Sequence, residues 1–277
     1  MVAAALDHPG LRLTEAELLA RRPDPVTQRH RPTSRRPGAV PAAPPGQGMD
    51  LREIRAFAEG DDLRRIDAAA TARTGQLHVR SFHEDRDDTT LLIADFRAPM
   101  LWGTGGALRS VRAARWLALL GWRAEMRGGS VGVMVLTGQG ATVVSAGTGQ
   151  RQMQQIAAHL AHAHDAALTR PGDGAADAGL AQALRLVPAG GRVHVATGPD
   201  ALLGAEGGLA RLARGRDVTL HMILDPVETA PPALPLSVHD GARSRYGRLR
   251  AHDPLPRIAS LRALGVKAET VNPDDTG

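Results

Sequence analysis

The chain contains no cysteine, a single lysine (Lys267) and few aromatic residues, which make up 3% of its 277 positions. Each scarcity removes a class of function. Without cysteine there is no disulfide, no thiolate nucleophile and no cysteine-bound zinc. So few rings leave no stacking platform for single-stranded nucleic acid or for sugars, and the core must be built from Ala, Leu and Val. No run reaches the ~18–20 apolar residues of a membrane span. Residues 1–23 lack a charged stretch followed by an apolar one, so no signal peptide is expected. The expectation is a soluble, cytoplasmic protein.

What is present is arginine. The formal net charge is +5 and the isoelectric point about 10.9. The basic residues are interspersed with 29 acids. They read as the codon bias of a GC-rich genome rather than as one polyanion-binding surface. The length suits one large domain or one domain with a small appendage.

Along the chain, residues 14–22 form an expected short helix, with Thr14 as N-cap and Glu17 three positions on. Residues 23–48 are rich in Pro, Arg and Gly, and His30, Arg31, Arg35 and Arg36 read as exposed positions of an irregular arm. Gly60-Asp61-Asp62 reads as a turn and Thr74-Gly75 as another. Residues 76–83 alternate as a strand with one wet face, Leu77, Val79 and Ser81 against His78, Arg80 and Phe82. Residues 91–96 form a near-continuous apolar run, the signature of a strand buried on both faces.

Residues 108–126 carry the strongest helical stripe. Strands at 131–136 and 141–145 are expected to form a hairpin across residues 138–140. Further on come helices at 149–168, 180–187, 202–214 and 258–264, and strands at 192–197, 218–224 and 266–271. Residues 234–238 are expected at a sheet edge because Pro235 cannot donate a ladder bond. Alternating strands and helices predict an α/β fold with a doubly wound, mostly parallel sheet.

Four groups of residues bear on chemistry. The run ending in Asp95-Phe96-Arg97-Ala98-Pro99-Met100 puts a carboxylate where open α/β sheets place ligands, a position suited to an oxygen-binding cation. Asp61, Asp62 and Asp67 interleave with Arg64, Arg65, Arg73 and Arg80. The offsets Asp62 to Arg65 and Arg64 to Asp67 predict ion pairs on one helical face, either fixing one loop geometry or presenting charge to a partner. His159, His162 and His164 lack the i, i+4 spacing of a helical zinc pair and read as a solvated face. Gly103-Thr104-Gly105-Gly106 precedes the strongest helix, so its amides could cradle an anion. The run lacks the Gly-Lys-Ser/Thr of a nucleotide loop and reads equally as a turn. There is no nucleophile elbow and no catalytic triad.

The segment Gly60-Asp61-Asp62-Leu63-Arg64-Arg65-Ile66-Asp67, then Ala72-Arg73 and Arg80, resembles the signature of the domain-of-unknown-function family 58, with Ala68 where tryptophan is usual. Gly46, Gly48, Asp50, Arg52, Arg55 and Glu84 fit the same pattern. The resemblance implies a von Willebrand factor A-like domain. In such domains the first strand ends in Asp-x-Ser-x-Ser and a divalent ion is held there. Here Asp95 matches, Arg97 and Pro99 stand in place of the serines, and Thr197-Gly198 stands where a second carboxylate is expected, with Asp200 nearby. The resemblance therefore implies a degenerate ion site and no cofactor, Mg²⁺ included.

The implied organisation is an arm over residues 1–48, a signature segment over 49–90 packing on the main domain, and the A-like domain over 91–277. The implied role is a non-enzymatic adaptor or scaffold, partnered by a MoxR-type AAA+ ATPase in protein maturation or remodelling. Binding would run through Asp61, Asp62, Arg64, Asp67, Arg73 and Arg80. Two alternatives belong to other classes. One is an Arg-rich nucleic-acid or phosphate binder using residues 21–36 and 243–250. The other is a metal-dependent hydrolase around Asp95, Asp61 and Asp62.

Overall fold

The computed structural model describes residues 8–24, 51–58, 61–82, 88–200, 202–239 and 243–276. The chain divides into two compact units, residues 28–87 and residues 1–27 together with 88–277. The irregular arm beyond residue 24, with His30, Arg31, Arg35 and Arg36, lies outside the described residues. So do Gly46, Gly48, Asp50, Gly60 and Glu84 of the resemblance.

Helix α1 (Glu15–Ala20) starts as expected, with the Glu17 amide donating to Thr14 Oγ1 at 3.3 Å. It belongs to the larger unit rather than to a separate arm. Leu18 is buried there, and the Glu17 carboxylate pairs with Arg115 instead of closing a capping box.

The smaller unit is an antiparallel pair, β1 (Leu51–Ala56) and β2 (His78–Phe82), spanned by a 3₁₀ turn at Leu63–Arg65 and helix α2 (Ala68–Thr74). Asp62 caps the turn and Asp67 caps the helix. Gly75, at φ 73°, ends α2 in the left-handed conformation that glycine adopts without steric cost. Val79 of β2 is buried and its neighbour Arg80 exposed, as the alternation requires.

The expected Arg64–Asp67 pair does not form. Ile66 leaves the turn in an extended conformation (ψ 129°), so the two side chains never share a helical face. Asp62 is engaged instead by the Arg64 amide at 3.0 Å.

The larger unit contains a six-stranded sheet. Its elements are β3 (Thr89–Asp95), α3 (Arg109–Met126), β4 (Ser130–Thr137), β5 (Gly140–Gly147), α4 (Gly149–Thr169), α5 (Ala176–Leu186), β6 (Arg192–Thr197), α6 (Glu206–Ala213), β7 (Asp217–Ile223), α7 (Pro226–Thr229), β8 (Leu236–His239), β9 (Ser244–Gly247), α8 (Leu255–Ala263) and β10 (Lys267–Val271). The sheet order is β10-β7-β6-β3-β4-β5, parallel except for the β4–β5 hairpin. This is the doubly wound, mostly parallel α/β architecture that the alternation of strands and helices predicts.

Every residue of β3 is buried because the sheet is covered on both faces. Leu92 and Ala94 point into one core with Val111, Leu117, Ile156 and Leu160. Leu91 and Ile93 point into the other with Leu180, Leu209 and Leu261. The period of two thus assigns alternate residues of one strand to two separate cores.

The segment expected at a sheet edge, residues 234–238, overlaps β8, an edge strand as expected, but of a separate two-stranded ribbon with β9 rather than of the main sheet. β9 was not foreseen: Ser-Arg-Tyr-Gly has no apolar alternation, and all four of its residues are exposed.

The chain from β3 leads to β4 and β5 on one side of the sheet, while β6, β7 and β10 lie on the other. The boundary between β3 and β6 is therefore the topological switch point, where open α/β sheets form their crevice.

Candidate functional site

Asp95 ends β3 and Thr197 ends β6, so strand register alone brings the two to the switch point. Asp95 is fully buried. Its Oδ1 accepts from Arg97 Nε at 2.9 Å and from the Arg97 amide at 3.1 Å. Its Oδ2 accepts from Arg97 Nη2 and from Thr197 Oγ1, both at 2.7 Å. The guanidinium meets the carboxylate in the two-pronged geometry that only arginine provides.

A third bond holds Arg97 in place, from Nη1 to the Gly174 carbonyl at 3.1 Å. The loop carrying Gly174 lies close because Gly138 and Gly172 meet backbone to backbone. A Cβ on Gly138 would lie 2.5 Å from the Gly172 Cα. Burial opposes the charge on Arg97, but the hydrogen bonds and charge of Asp95, with Asp173 nearby, outweigh it and raise the pKa above the ordinary arginine value.

This donor set does not fit a divalent ion. Hard cations need several oxygens in near-regular arrangement. Here both oxygens of Asp95 are taken by Arg97 and Thr197, and Arg97 and Pro99 bring no side-chain oxygen. The same occupation leaves Asp95 no lone pair in position for acid–base work. Above the pair, Arg97, Pro99, Gly198, Asp173 and Asp200 line a cavity of about 340 Å³, walled on one side by Trp102 and Arg109. The Arg109 guanidinium stacks over the Trp102 ring, 4.1 Å from its centre.

In the smaller unit three of the six charged positions, Asp61, Asp67 and Arg80, form two locks, one of them with Arg55. Asp61 receives both Arg55 nitrogens, at 2.8 and 2.6 Å, and the Ala58 amide at 2.7 Å. The Arg55 hydrogen bonds, then that of Ala58, hold its carboxyl below the usual range. Asp67 accepts from the Ala70 amide at 2.8 Å and from Arg80 Nε at 2.7 Å, which likewise depresses its pKa. Arg64 and Arg73 are exposed, and among the described residues neither forms an ion pair. Asp61 and Asp62 do not converge as a carboxylate dyad, since Asp62 is turned to the backbone. Ala68, where tryptophan was expected, is exposed in the first turn of α2.

Of the three histidines read as a solvated face, His162 is exposed, His159 is half-buried and His164 departs from the reading. His164 is fully buried and its Nε2 meets Ser110 Oγ at 2.8 Å. Burial of both groups, with no acceptor on His164 Nδ1, makes the pair a packing contact rather than a nucleophile and base. His159 bonds Thr142 Oγ1 at 3.0 Å across to β5. Among the described residues no three His, Asp or Glu side chains converge on a metal position.

A second buried ionic cluster went unnoticed in the sequence. Asp225 follows β7, caps α7, and completes a capping box with Glu228. It accepts from the Thr104 amide at 3.0 Å and from the Thr104 hydroxyl. Arg109 pairs with Glu228, and Arg112 approaches Asp225 to 3.9 Å. The signal for the cap was present as Asp225-Pro226-x-Glu228. The arginine partners, over 100 positions earlier in the chain, carried no local signal.

A family model described as protein of unknown function DUF58 matches residues 53–243. Uncharacterized proteins of Mycobacterium tuberculosis and Mycobacterium bovis are each 33% identical over 112 residues, 40% of this chain and 35% of theirs. The aligned part of this chain thus spans about a third of the length of these curated relatives. Among solved structures, BatB from Bacteroides thetaiotaomicron aligns with a TM-score of 0.47 and 16% identity over 66% of this chain and 90% of that one. An aerotolerance-related membrane protein from Bacteroides fragilis aligns with a TM-score of 0.48 and 17% identity, over 68% and 92% of the two chains. The SpRpn10 VWA domain aligns with a TM-score of 0.41 and 11% identity, over 67% and 88%. No described helix of the present chain is long and apolar enough to cross a membrane.

Proposed function

The chain belongs to the DUF58 family, and on that premise we propose that it is a non-enzymatic protein-interaction module, an adaptor or scaffold that works with a MoxR-type AAA+ ATPase in protein maturation or remodelling. One observation carries the reading. The loops that follow the carboxyl ends of β3, β6 and β7 expose large apolar side chains, Trp102 at 37%, Leu203 at 62% and Leu234 at 75%. Exposed apolar groups over a rim of charge are what a docking surface requires. The strand-end carboxylate beneath that rim is sealed by Arg97, so binding there would proceed without a bridging cation. Exposed Arg64 and Arg73 on the smaller unit supply further charge for a partner.

The test is affinity capture of an AAA+ ATPase from native lysate with ATP, with and without chelator. The expected result is recovery in excess chelator, reduced about tenfold or more by Leu203→Asp with Leu234→Asp, a loss of about 1.4 kcal/mol. Absence of any ATPase under both conditions, or capture indifferent to those substitutions, would sink the proposal. Recovery only without chelator would transfer the role to a metal-dependent contact.

A second reading, nucleic-acid binding, is favoured by the β8–β9 ribbon. Tyr246 is 77% exposed, and Arg245, Arg248 and Arg250 are exposed without an ion pair among the described residues. Residues 25–36 of the other arginine segment lie outside the described residues. This reading predicts DNA affinity that falls steeply with salt, with a slope near −0.9 per phosphate contacted. A flat salt profile in a fluorescence-anisotropy titration would exclude it.

A further inference from the structure

A second cavity, of about 330 Å³, opens beside the first turns of α3, between Gly105, Gly106, Ala107, Arg112, Arg115 and Pro226. Its charged lining is of one sign: two arginines and no carboxylate. The arginines stand at i and i+3 on α3 and so share a helical face.

Arg112 is a buried cation whose charge the fold answers incompletely. It is 4% exposed. Its Nη2 donates to the Leu224 carbonyl, and its Nε has no acceptor among the described residues. Asp225 stands 3.9 Å away. The oxygens of that carboxylate are already engaged by the Thr104 amide and hydroxyl and by the Val227 amide. Burial lowers the Arg112 pKa, and Arg109 and Arg115 add to that while Asp225 and Glu228 oppose it. Arg115, by contrast, is answered by Glu17 and by the Pro9 carbonyl.

The glycine run supplies a second set of donors. The amides of Gly105, Gly106 and Ala107 donate to no group among the described residues. The helix that follows has no side-chain cap at Leu108, and of its first-turn amides that of Arg109 is met by the Trp102 carbonyl at 3.0 Å. Bare backbone is required at one of these positions: a Cβ on Gly105 would lie 2.8 Å from the Pro226 ring.

We propose that this cavity binds a phosphate group, either free or carried as a phosphate ester, clamped by Arg112 and Arg115 and met by the amides of residues 105–107. A tetrahedral oxyanion fits better than a carboxylate. Donors approach from a helix face and from a loop, more than two oxygens can satisfy, and a phosphate brings up to two negative charges to Arg112, whose charge is incompletely answered, and to Arg115, which it would share with Glu17. The volume lies at the low end for small-molecule sites. The run lacks the lysine and adjoining hydroxyl of a nucleotide loop, so the site holds a phosphate and does not hydrolyse a nucleotide. The proposal stands apart from the adaptor reading, because Trp102, Leu203 and Leu234 are not among the residues that line this cavity.

The experiment is calorimetric titration of the full chain, at matched ionic strength, with inorganic phosphate, with phosphoserine and with acetate. One-to-one binding of inorganic phosphate or phosphoserine is expected, with acetate about tenfold weaker or more. Which phosphate species binds more tightly identifies the source. Arg115→Ala should weaken binding about tenfold to a hundredfold, the worth of a charge-assisted hydrogen bond.

Arg115→Ala also loses Glu17, so a second variant guards against misfolding. Gly106→Asp places a carboxylate at the cavity wall where a Cβ meets no neighbour within 4 Å, and it should abolish binding with the fold intact by circular dichroism. Three results overturn the proposal: no one-to-one binding at millimolar phosphate, binding unchanged in folded Gly106→Asp, or acetate binding as tightly as phosphate.

Discussion

Replacing Arg97 by Ala is expected to lower the unfolding free energy by about 3–5 kcal/mol, the cost of stranding one partner of a buried ion pair. Asp95 has no exposed surface, and the substitution strips two of its four donors, leaving the residue-97 amide and Thr197. Urea denaturation at neutral pH measures the loss directly. A midpoint equal to that of the unmodified chain would show that Asp95 tolerates burial without its cation, and the sealed-site description would be wrong.

The double variant Arg97→Ser with Pro99→Ser extends the test. It replaces the internal cation with two hydroxyls beside Asp95 and Thr197, the oxygen-rich setting that a hard cation takes. Its melting temperature is expected to rise with millimolar Mg²⁺, while that of the unmodified chain does not. Equal response of the two proteins to Mg²⁺ would mean that Arg97 does not control ion binding.

The second large effect is loss of stability in mild acid. His164, His194 and His221 are held neutral, their pKa values pushed down from 6.5 to about 4, chiefly by burial. Trp116 Nε1 donates to His221 Nδ1 at 3.0 Å, and His221 Nε2 meets His194 Nδ1 at 3.0 Å. In the neutral tautomers these bonds run in one direction, from the indole through both imidazoles, while Glu269 Oε1, 2.8 Å from His221 Nδ1, favours the protonated ring and opposes burial there. Asp217 and Glu269 pull the His194 pKa upward, as Asp165 does that of His164, and burial outweighs both.

The sign follows from proton uptake. Between about pH 6.5 and 4 the unfolded chain binds protons that the folded chain refuses, so stability is complete above the upper limit and falls toward the lower one. Each fully buried histidine contributes roughly 3 kcal/mol to that fall. Asp61 and Asp67, whose pKa values are depressed, lose their contribution only below the ordinary carboxylate value of 3.8, so the two windows do not overlap. Urea midpoints at about pH 7 and about pH 5 should therefore differ for the unmodified chain and differ less for His164→Leu. A stability profile flat across that interval would contradict neutral burial of these residues.

The elements differ in how far they were legible. Strands β3 and β4 were readable because burial on both faces leaves a nearly continuous apolar run, and β6 and β7 because Val193 and Val195, and Val218, Leu220 and Met222, recur at every second position. Helices α3 and α4 were readable because their stripes at 3.6-residue spacing carry Val111, Ala118 and Trp122, or Ile156, Leu160 and Ala163, into one core. Helix α2 was missed because Ala-Ala-Ala-Thr-Ala-Arg-Thr has no stripe, and its stability is drawn from the Asp67 cap and the Gly75 stop. Helix α5 begins at Ala176 rather than near Leu180, since a stretch of Gly, Ala and Asp reads as loop until packing orders it.

Charge partners were the least legible. Asp67 binds Arg80, not Arg64, because the partner is set by how β2 returns beside the turn, and sequence offset does not encode that distance. His164 sits on the same helix as exposed neighbours but faces Ser110 of α3, an outcome of helix packing alone.

By itself the sequence determined the fold class, the strand that ends in Asp95, and the replacement of hydroxyls by Arg97 and Pro99, because hydrophobic periodicity and motif chemistry act over neighbouring residues. Only the tertiary structure decided that Thr197 shares Asp95 with Arg97, that Arg112 is buried beside an already engaged Asp225, and that the glycine run faces two arginines across a cavity. Those relations join residues from different strands and helices, and they exist only once sheet order and helix packing have brought them together.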